Sequence, residues 1–463
     1  MLVGGTGSHV GKSWMTAAIC RWLRRRGLRV APFKAQNMSN NSFPCRAGGE
    51  IGRAQVVQAE ACGLEPSPDM NPILLKPNAD NGSQVVLDGK VWKNLKAREY
   101  YEHFDFLLGR VLDAFERLAH EYDFIVIEGA GSIAELNLRR TDLVNLGLAK
   151  LLQAPTLLVA DIDRGGVFAA VYGTLALIQP EEAKLVRSFA VNRFRGDPAL
   201  FHDGRRILED KASRPCLGVF PYVDDLHIDE EDGVALDYLV PAPREGPSIA
   251  ILKFPRVSNL TDFQLLRWAD WIDRANDSSY EIVILPGTKN SVADLAWMRS
   301  RGLDEWVRRQ HDAGALVLGI CGGYQILGER IDDPFAVESG DESVEGLGLL
   351  PVTTVLEREK ITQVVEGSTP GGVRFPAYEI HMGKTTRPAG SSPFAFVEGR
   401  GEGLRAGRCW GTYLHGVLEN AAVIEELFGV KLPPVADKDS RYDRLADWFE
   451  EAADTKLFEE LYL

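Results

Sequence analysis

The stretch LVLGICGGYQILG, Leu316 to Gly328, runs an apolar strand into a cysteine, two glycines and a helix-like segment. That order spells strand, sharp turn and helix, which lifts a nucleophile off the end of a parallel sheet and aims backbone N–H groups at whatever it attacks. Glycines beside the turn remove the side chains that would obstruct it. Cys321 is therefore the candidate nucleophile. The thiolate is the reactive form of cysteine, and a helix N-terminus with a nearby histidine favours it. His415, in RCWGTYLHGVLEN, is the candidate partner, brought near by the fold rather than by sequence. A free cysteine is ordinarily a small buried hydrophobe; the Gly-Ile-Cys-Gly-Gly-Tyr-Gln context sets this one apart.

Outward from this strand, EIVILPG (281 to 287) and SIAILKF (248 to 254) precede it and YLHG (413 to 416) follows it, which makes one α/β series. An earlier series contains FIVIEGAG (124 to 131), TLLVADID (156 to 163) and FAVNRF (189 to 194), apolar runs typical of parallel strands covered on both faces. Between the two series the chain turns acidic and then Pro-rich, in LVPAPREGP, which reads as a linker. The expected organisation is an α/β protein with a phosphate-loop parallel-sheet domain over 1–240, a linker over 241–247, a second α/β domain over 248–432, and a helical tail over 433–463 that packs back on a domain. A chain of 463 residues suits two such cores.

The first series opens with GGTGSHVGKS, Gly4 to Ser13, followed by an amphipathic helix pattern. Backbone N–H groups of such a loop cradle phosphates, its lysine adds a charge and its hydroxyl holds Mg²⁺. Lys12 and Ser13 take those roles, with Gly5, Thr6 and Gly11 shaping the loop. The position of the usual first glycine is Thr6, so the pattern is the GTxxxxGK[ST] variant of dethiobiotin synthetase-like ATPases. Glu128, at the end of a buried strand, is costly there unless it meets a cation or donor, and is the expected Mg²⁺ ligand. Glu50 is a second candidate carboxylate. Lys34 in APFKAQNMSNNS is placed to bridge ATP and acceptor, and Asn192 to read the adenine, although a strand-end asparagine equally forms turns. Only Met1 to Val3 precede the glycines, against about 5 to 6 residues for a typical strand. Either that strand is short or the start lies upstream.

Composition narrows the class. A net charge of −14 has the wrong sign for a chain whose main partner is nucleic acid. The cluster RWLRRRGLR, Arg21 to Arg29, is expected to be the solvated face of a helix. Six scattered cysteines form no CxxC pair and fit a reducing compartment. No apolar stretch reaches the ~18 to 20 residues of a membrane span and no signal peptide is evident, so the expected location is cytoplasmic, with small-molecule partners and no membrane.

Together the strings GTGSHVGKS, KAQNMSNNS (34 to 42), DIDRGGVFAAVYGT (161 to 174), VNRFRGD (191 to 197), LPGTKNS (285 to 291), GICGGYQILG (319 to 328) and YLHG make the chain resemble the cobyric acid synthase family across nearly its whole length. KAQNMSNNS discriminates best, because the cobyrinic acid a,c-diamide synthases share the architecture but not that string. The resemblance implies a C-terminal domain like the class I glutamine amidotransferases. It implies that ATP and glutamine convert the b, d, e and g carboxylates of adenosylcobyrinic acid a,c-diamide into amides. It implies a thioester on Cys321, an oxyanion held by the N–H groups of Gly322 and Gly287, and proton transfers by His415. Many related glutaminases carry His-Pro-Glu, yet Val417 stands two residues after His415, so a Cys-His dyad is expected, with Glu419 a spare third member. His381 is expected to be structural or substrate-facing, and Arg164 to meet either a corrin carboxylate or the partner of a surface ion pair. The alternatives are a cobyrinic acid a,c-diamide synthase and a ParA-like ATPase switch. The latter is weakened by Gly7, which stands where those proteins carry their signature lysine.

Overall fold

A computed structural model describes residues 1–79, 82–223, 226, 246–340, 342–433 and 437–463. Six strands form the first sheet among these residues: β1 (Leu2–Gly5), β2 (Val30–Phe33), β3 (Phe124–Glu128), β4 (Thr156–Asp161), β5 (Val186–Phe194) and β6 (Cys216–Pro221). They lie in the order β6-β5-β4-β1-β3-β2, all parallel. Both faces are apolar because the strands are covered twice: Leu158 and Ala160 of β4 join one core, Leu157 and Val159 the other. β1 is central, and Gly4 and Gly5 belong to it as strand residues. The phosphate loop then enters α1 (Lys12–Arg25), and α2 (Arg53–Cys62) lies beyond β2.

The second sheet uses β7 (Ile249–Leu252), β8 (Asp270–Ile272), β9 (Ile282–Leu285) and β10 (Leu316–Ile320), after which α3 (Gly322–Leu327) begins at once. A long antiparallel hairpin follows, β11 (Thr353–Ser368) and β12 (Arg374–Thr386), and then β13 (Leu404–Ala406) and β14 (Cys409–Thr412). The order is β8-β7-β9-β10-β14-β13, parallel except for the β13–β14 pair. The carboxyl ends of β7, β9, β10 and β14 therefore open on one rim, where ligand sites of such sheets gather. Of the expected linker, 241–245 lies outside the described residues.

The tail forms α4 (Lys438–Ala452) and α5 (Thr455–Tyr462), which cover α1 of the first domain. Trp22 sits 5.3 Å from the ring of Phe449 and 5.2 Å from that of Phe458. In the basic cluster Arg24, Arg25, Arg26 and Arg29 are exposed, as expected of a solvated face, and only Arg21 is buried. Arg21 bonds Asp439 and Asp443 at 3.0 and 2.8 Å, and Arg25 bonds Asp447 at 2.6 Å, so an acidic helix in the tail supplies the counter-charges.

Candidate active site

Cys321 closes β10 with φ 51° and ψ −107°, a left-handed conformation that is costly for a residue with a side chain. Close packing enforces the bend. A Cβ on Gly323 would stand 2.0 Å from the Leu285 carbonyl oxygen, and one on Gly322 would stand 2.5 Å from Cγ2 of Thr288. The turn is thus pressed against the loop after β9, and the N–H of Gly322 is one of the unpaired donors that every helix start presents. The thiol donates to the Ile380 carbonyl of β12 at 3.6 Å.

His415 follows β14 and is fully buried. Its Nδ1 lies 2.7 Å from Oδ2 of Asp262, itself fully buried, in the short 3₁₀ turn Leu260–Phe263 after β7. Oδ1 of the same carboxylate accepts the N–H of Gly416 at 2.6 Å. With both oxygens engaged as acceptors, Nδ1 carries the proton and Nε2 is the working nitrogen. Nε2 lies 3.1 Å from Nδ2 of Asn259. Tyr378 of β12 stacks on the imidazole at 5.2 Å and 22°. Burial alone would push this histidine down, but the Asp262 carboxylate, together with Cys321, outweighs it and lifts the ring to about 10. Gly287 packs on the other side, where a Cβ would come within 2.7 Å of Cε1. Both expected oxyanion glycines thus border the Cys–His pair, and the carboxylate that meets His415 is Asp262 rather than Glu419. Glu419 faces Arg53 at 3.6 Å instead.

The phosphate loop has the geometry of an anion cradle. Gly11 adopts φ 96°, and a Cβ there would strike Nδ2 of Asn192 at 2.1 Å. Lys12 is folded onto the loop, its ammonium donating to the carbonyls of Gly7 at 2.8 Å and Gly131 at 2.9 Å. Thr6 and Gly5 extend the β1 edge, bonding the Val159 carbonyl and the Ile133 N–H. At the end of β3, Glu128 accepts from the Ser13 hydroxyl at 2.8 Å and from Lys34 at 3.0 Å, with Gln58 on its second oxygen. Burial would raise this carboxyl, but Lys34, Gln58 and Ser13 outweigh that and hold it below its usual range. An anionic carboxylate beside a hydroxyl is a hard oxygen pair that suits Mg²⁺. No three His, Cys, Asp or Glu side chains converge into a metal cage among the described residues, so a cation there would be completed by phosphate and water.

Two expected ligands are placed elsewhere. Glu50 is buried between the domains, where its carboxylate closes on Lys76 at 2.8 Å, on the Ser42 hydroxyl at 2.8 Å and on Lys360 of the hairpin. Three donors leave it no role at the phosphate loop. Asn192 donates its amide to the Val10 carbonyl at 2.9 Å and accepts from the Arg193 N–H, so it buttresses the phosphate loop. His381 is spent in a stack on Tyr413, 3.7 Å between ring centres, while Arg164 stands exposed after β4. Asp262 and Asn259 carried no motif. Their one legible signal was position, in SNLTDF just beyond the carboxyl end of a sheet strand.

Residues 248–423 match the CobB/CobQ-like glutamine amidotransferase domain, and residues 1–236 match the CobQ/CobB/MinD/ParA nucleotide binding domain. No helix among the described residues is long and apolar enough to cross a membrane. A cobyric acid synthase of Parabacteroides distasonis is 45% identical over 97% of this chain and 96% of its own length. One from Chloroflexus aggregans is 46% identical over 91% and 89%, and one from Thermoanaerobacter sp. 41% identical over 100% and 98%. Matches that run from the phosphate loop through the nucleophile turn and His415 leave no room for a single-domain ATPase switch. The chain belongs to the cobyric acid synthase family of glutamine-dependent amidoligases.

Proposed function

We propose that the two sites work in series on one corrin substrate, with ammonia released in the C-terminal domain and used in the N-terminal one. The observation that carries this is the Cys321–His415–Asp262 constellation in the same chain as the Ser13–Glu128–Lys34 cluster. Sγ of Cys321 attacks the carboxamide carbon of glutamine while Nε2 of His415 takes its proton. The N–H groups of Gly322 and Gly287 hold the oxyanion. His415 returns the proton to departing ammonia and then draws one from the water that cleaves the thioester, releasing glutamate.

In the N-terminal domain a carboxylate oxygen of adenosylcobyrinic acid a,c-diamide attacks the γ-phosphorus of ATP, ADP departs, and an acyl phosphate forms. Lys12 leaves the loop carbonyls for the phosphates, and Lys34 lies where attacking and leaving charges meet. Ser13 and Glu128 would hold Mg²⁺, which when bound offsets charge on the phosphate oxygens. Ammonia then attacks the acyl carbon and expels phosphate.

The test is mass spectrometry of the corrin after incubation with the protein, Mg·ATP and either glutamine or ammonium. Four successive amides are expected with both nitrogen donors, and Cys321→Ser is expected to lose the glutamine reaction alone. Loss of both reactions in that variant refutes the division of labour. Conversion of cobyrinic acid at its a and c carboxylates, with the a,c-diamide left untouched, refutes the substrate.

A further inference from the structure

The loop that carries Gly287 holds a charge that neither reaction uses. Running from β9 into the helix Ser291–Ser300, it presses Thr288 against the nucleophile turn, and Lys289 follows at once. The Lys289 N–H donates to the Arg256 carbonyl at 3.0 Å, which pins the backbone. Its ammonium makes no hydrogen bond and no ion pair among the described residues. Lys76 and Lys360 both close on the Glu50 carboxylate, so Glu50 is already shared by two other cations. Burial lowers the Lys289 ammonium, Lys76 lowers it further, and Glu338, Glu50 and Cys321 pull against them. A part-buried cation without a partner is costly, and this one lies in the field of the nucleophile.

A carboxylate is fastened to the same loop. Oε2 of Glu338 accepts the N–H groups of Ser291 and Val292 at 2.6 and 3.3 Å, and the Glu338 carbonyl accepts Nδ2 of Asn290 at 2.9 Å. Oε1 makes no hydrogen bond among the described residues. Burial pushes this carboxyl up to about 7 against the pull of Lys289 and the two N–H groups, so Glu338 also lacks a full counter-charge. Ammonium and carboxylate feel each other, yet they stand too far apart to pair. A gap between one cation and one anion is filled by a molecule that carries both charges. Glutamine is such a molecule, with its α-carboxylate and α-ammonium on one carbon, a short methylene chain away from the carboxamide that Cys321 attacks.

We propose that Lys289 and Glu338 form the recognition site for the amino-acid head of glutamine, Lys289 taking the α-carboxylate and Glu338 the α-ammonium, so that the loop with the oxyanion donor of Gly287 also holds the far end of the substrate. The proposal rests on the reading of Cys321 as the glutaminase nucleophile. Such a site rejects the corrin's newly made amides, which present the same carboxamide without a zwitterion, and so keeps the glutaminase from undoing the product.

The test compares three amides in the full chain, reading the carboxylic acid released from each: glutamine, 4-aminobutanamide, which lacks the α-carboxylate, and glutaric monoamide, which lacks the α-amino group. The wild type is expected to favour glutamine over both, and indifference to either truncation overturns the proposal. Lys289→Met is expected to lower kcat/KM for glutamine about ten- to a hundredfold, the worth of a charge-assisted hydrogen bond, and to leave 4-aminobutanamide within about twofold. Glu338→Gln is expected to lower glutamine by a similar factor and to leave glutaric monoamide unchanged. Equal losses on glutamine and the matching truncated amide, as a purely structural role would give, overturn the proposal, and so does an unchanged glutamine rate. Iodoacetamide labelling of Cys321 without glutamine is expected to keep its pH profile in Lys289→Met; a profile displaced to higher pH makes Lys289 a partner of the thiolate instead and overturns the assignment. Ammonium-driven amidation of the corrin reports that each variant is folded, and if Lys289→Met fails it the Glu338→Gln comparison decides alone. Cys321→Ala separates the two levels: acid release from glutamine that survives it refutes the site itself.

Discussion

Replacing Asp262 by asparagine gives the sharpest test of the buried triad, because the surroundings dictate how the new amide must lie. Oδ1 of Asp262 accepts the Gly416 N–H at 2.6 Å, so the amide oxygen stays on that side and the NH₂ group turns to His415. It then donates to Nδ1, which must become the acceptor, and the ring proton moves to Nε2. The working nitrogen can no longer take the Cys321 proton. A wrong tautomer of this kind costs a serine protease triad about ten-thousandfold in kcat, roughly 5.5 kcal/mol at 1.36 kcal/mol per decade. Asp262→Ala leaves the ring free to choose its tautomer and loses a charge-assisted bond of about 1.5 to 3 kcal/mol, a fall of about ten- to a hundredfold. Asparagine, the closer mimic, is therefore expected to be the worse substitution. The assay is glutamate release in each variant, with ammonium-driven amidation as the check that the fold and the ATP site persist. Asparagine performing as well as alanine, or keeping a tenth of wild-type turnover, refutes the assigned tautomer.

Gly287→Ala would bring a methyl group to 2.7 Å from Cε1 of His415. A displacement of that size at a reacting pair is expected to lower glutamate release about a hundredfold, with ammonium-driven amidation kept, and equal loss of both reactions would make Gly287 merely structural. Glu50→Ala strips the partner from two buried ammonium groups, Lys76 and Lys360, and is expected to destabilise the chain by about 3 to 5 kcal/mol in thermal unfolding. Burial disfavours the Glu50 carboxylate, but Lys360 and Lys76 outweigh it and hold its folded value below the ordinary 4.5. Its contribution is therefore complete above that pH and lost as pH falls beneath it, so on acidification the gap between variant and wild type is expected to narrow below about pH 4.5, while on the alkaline side burial lowers Lys360 to about 7 and its charge is given up there as well. A gap that grows on acidification would contradict the sign.

The two ends of the chemistry differed in how far sequence alone could reach. Phosphate loops and nucleophile turns are local devices, in which a backbone bend, a helix start and one reactive side chain follow one another along a few residues. Gly11, Lys12 and Ser13 could therefore be named together, as could Cys321 with Gly322, and the parallel strands were legible because burial on both faces leaves runs such as TLLVAD almost without polar residues. Glu50 failed for the opposite reason. A carboxylate announces that it needs a counter-charge but not which one, and here the partner Lys360 is 310 residues away on a hairpin that the sequence reading did not foresee. That hairpin escaped although Pro370-Gly371-Gly372 marks its turn, because its long strands mix exposed charge with partial burial, as in LEREKITQ, and show no clean two-residue alternation. Asn192 was read for a ligand, and its amide also braces the loop at the Val10 carbonyl, a role that spacing does not encode. Asp262 is the instructive case. The downstream position where related glutaminases keep their orienting glutamate holds Val417, and the need for a carboxylate was met from the loop after β7, reached across the rim of the sheet. What the chemistry constrains is a buried acceptor within about 3 Å of Nδ1; any element whose end opens on that rim can supply it.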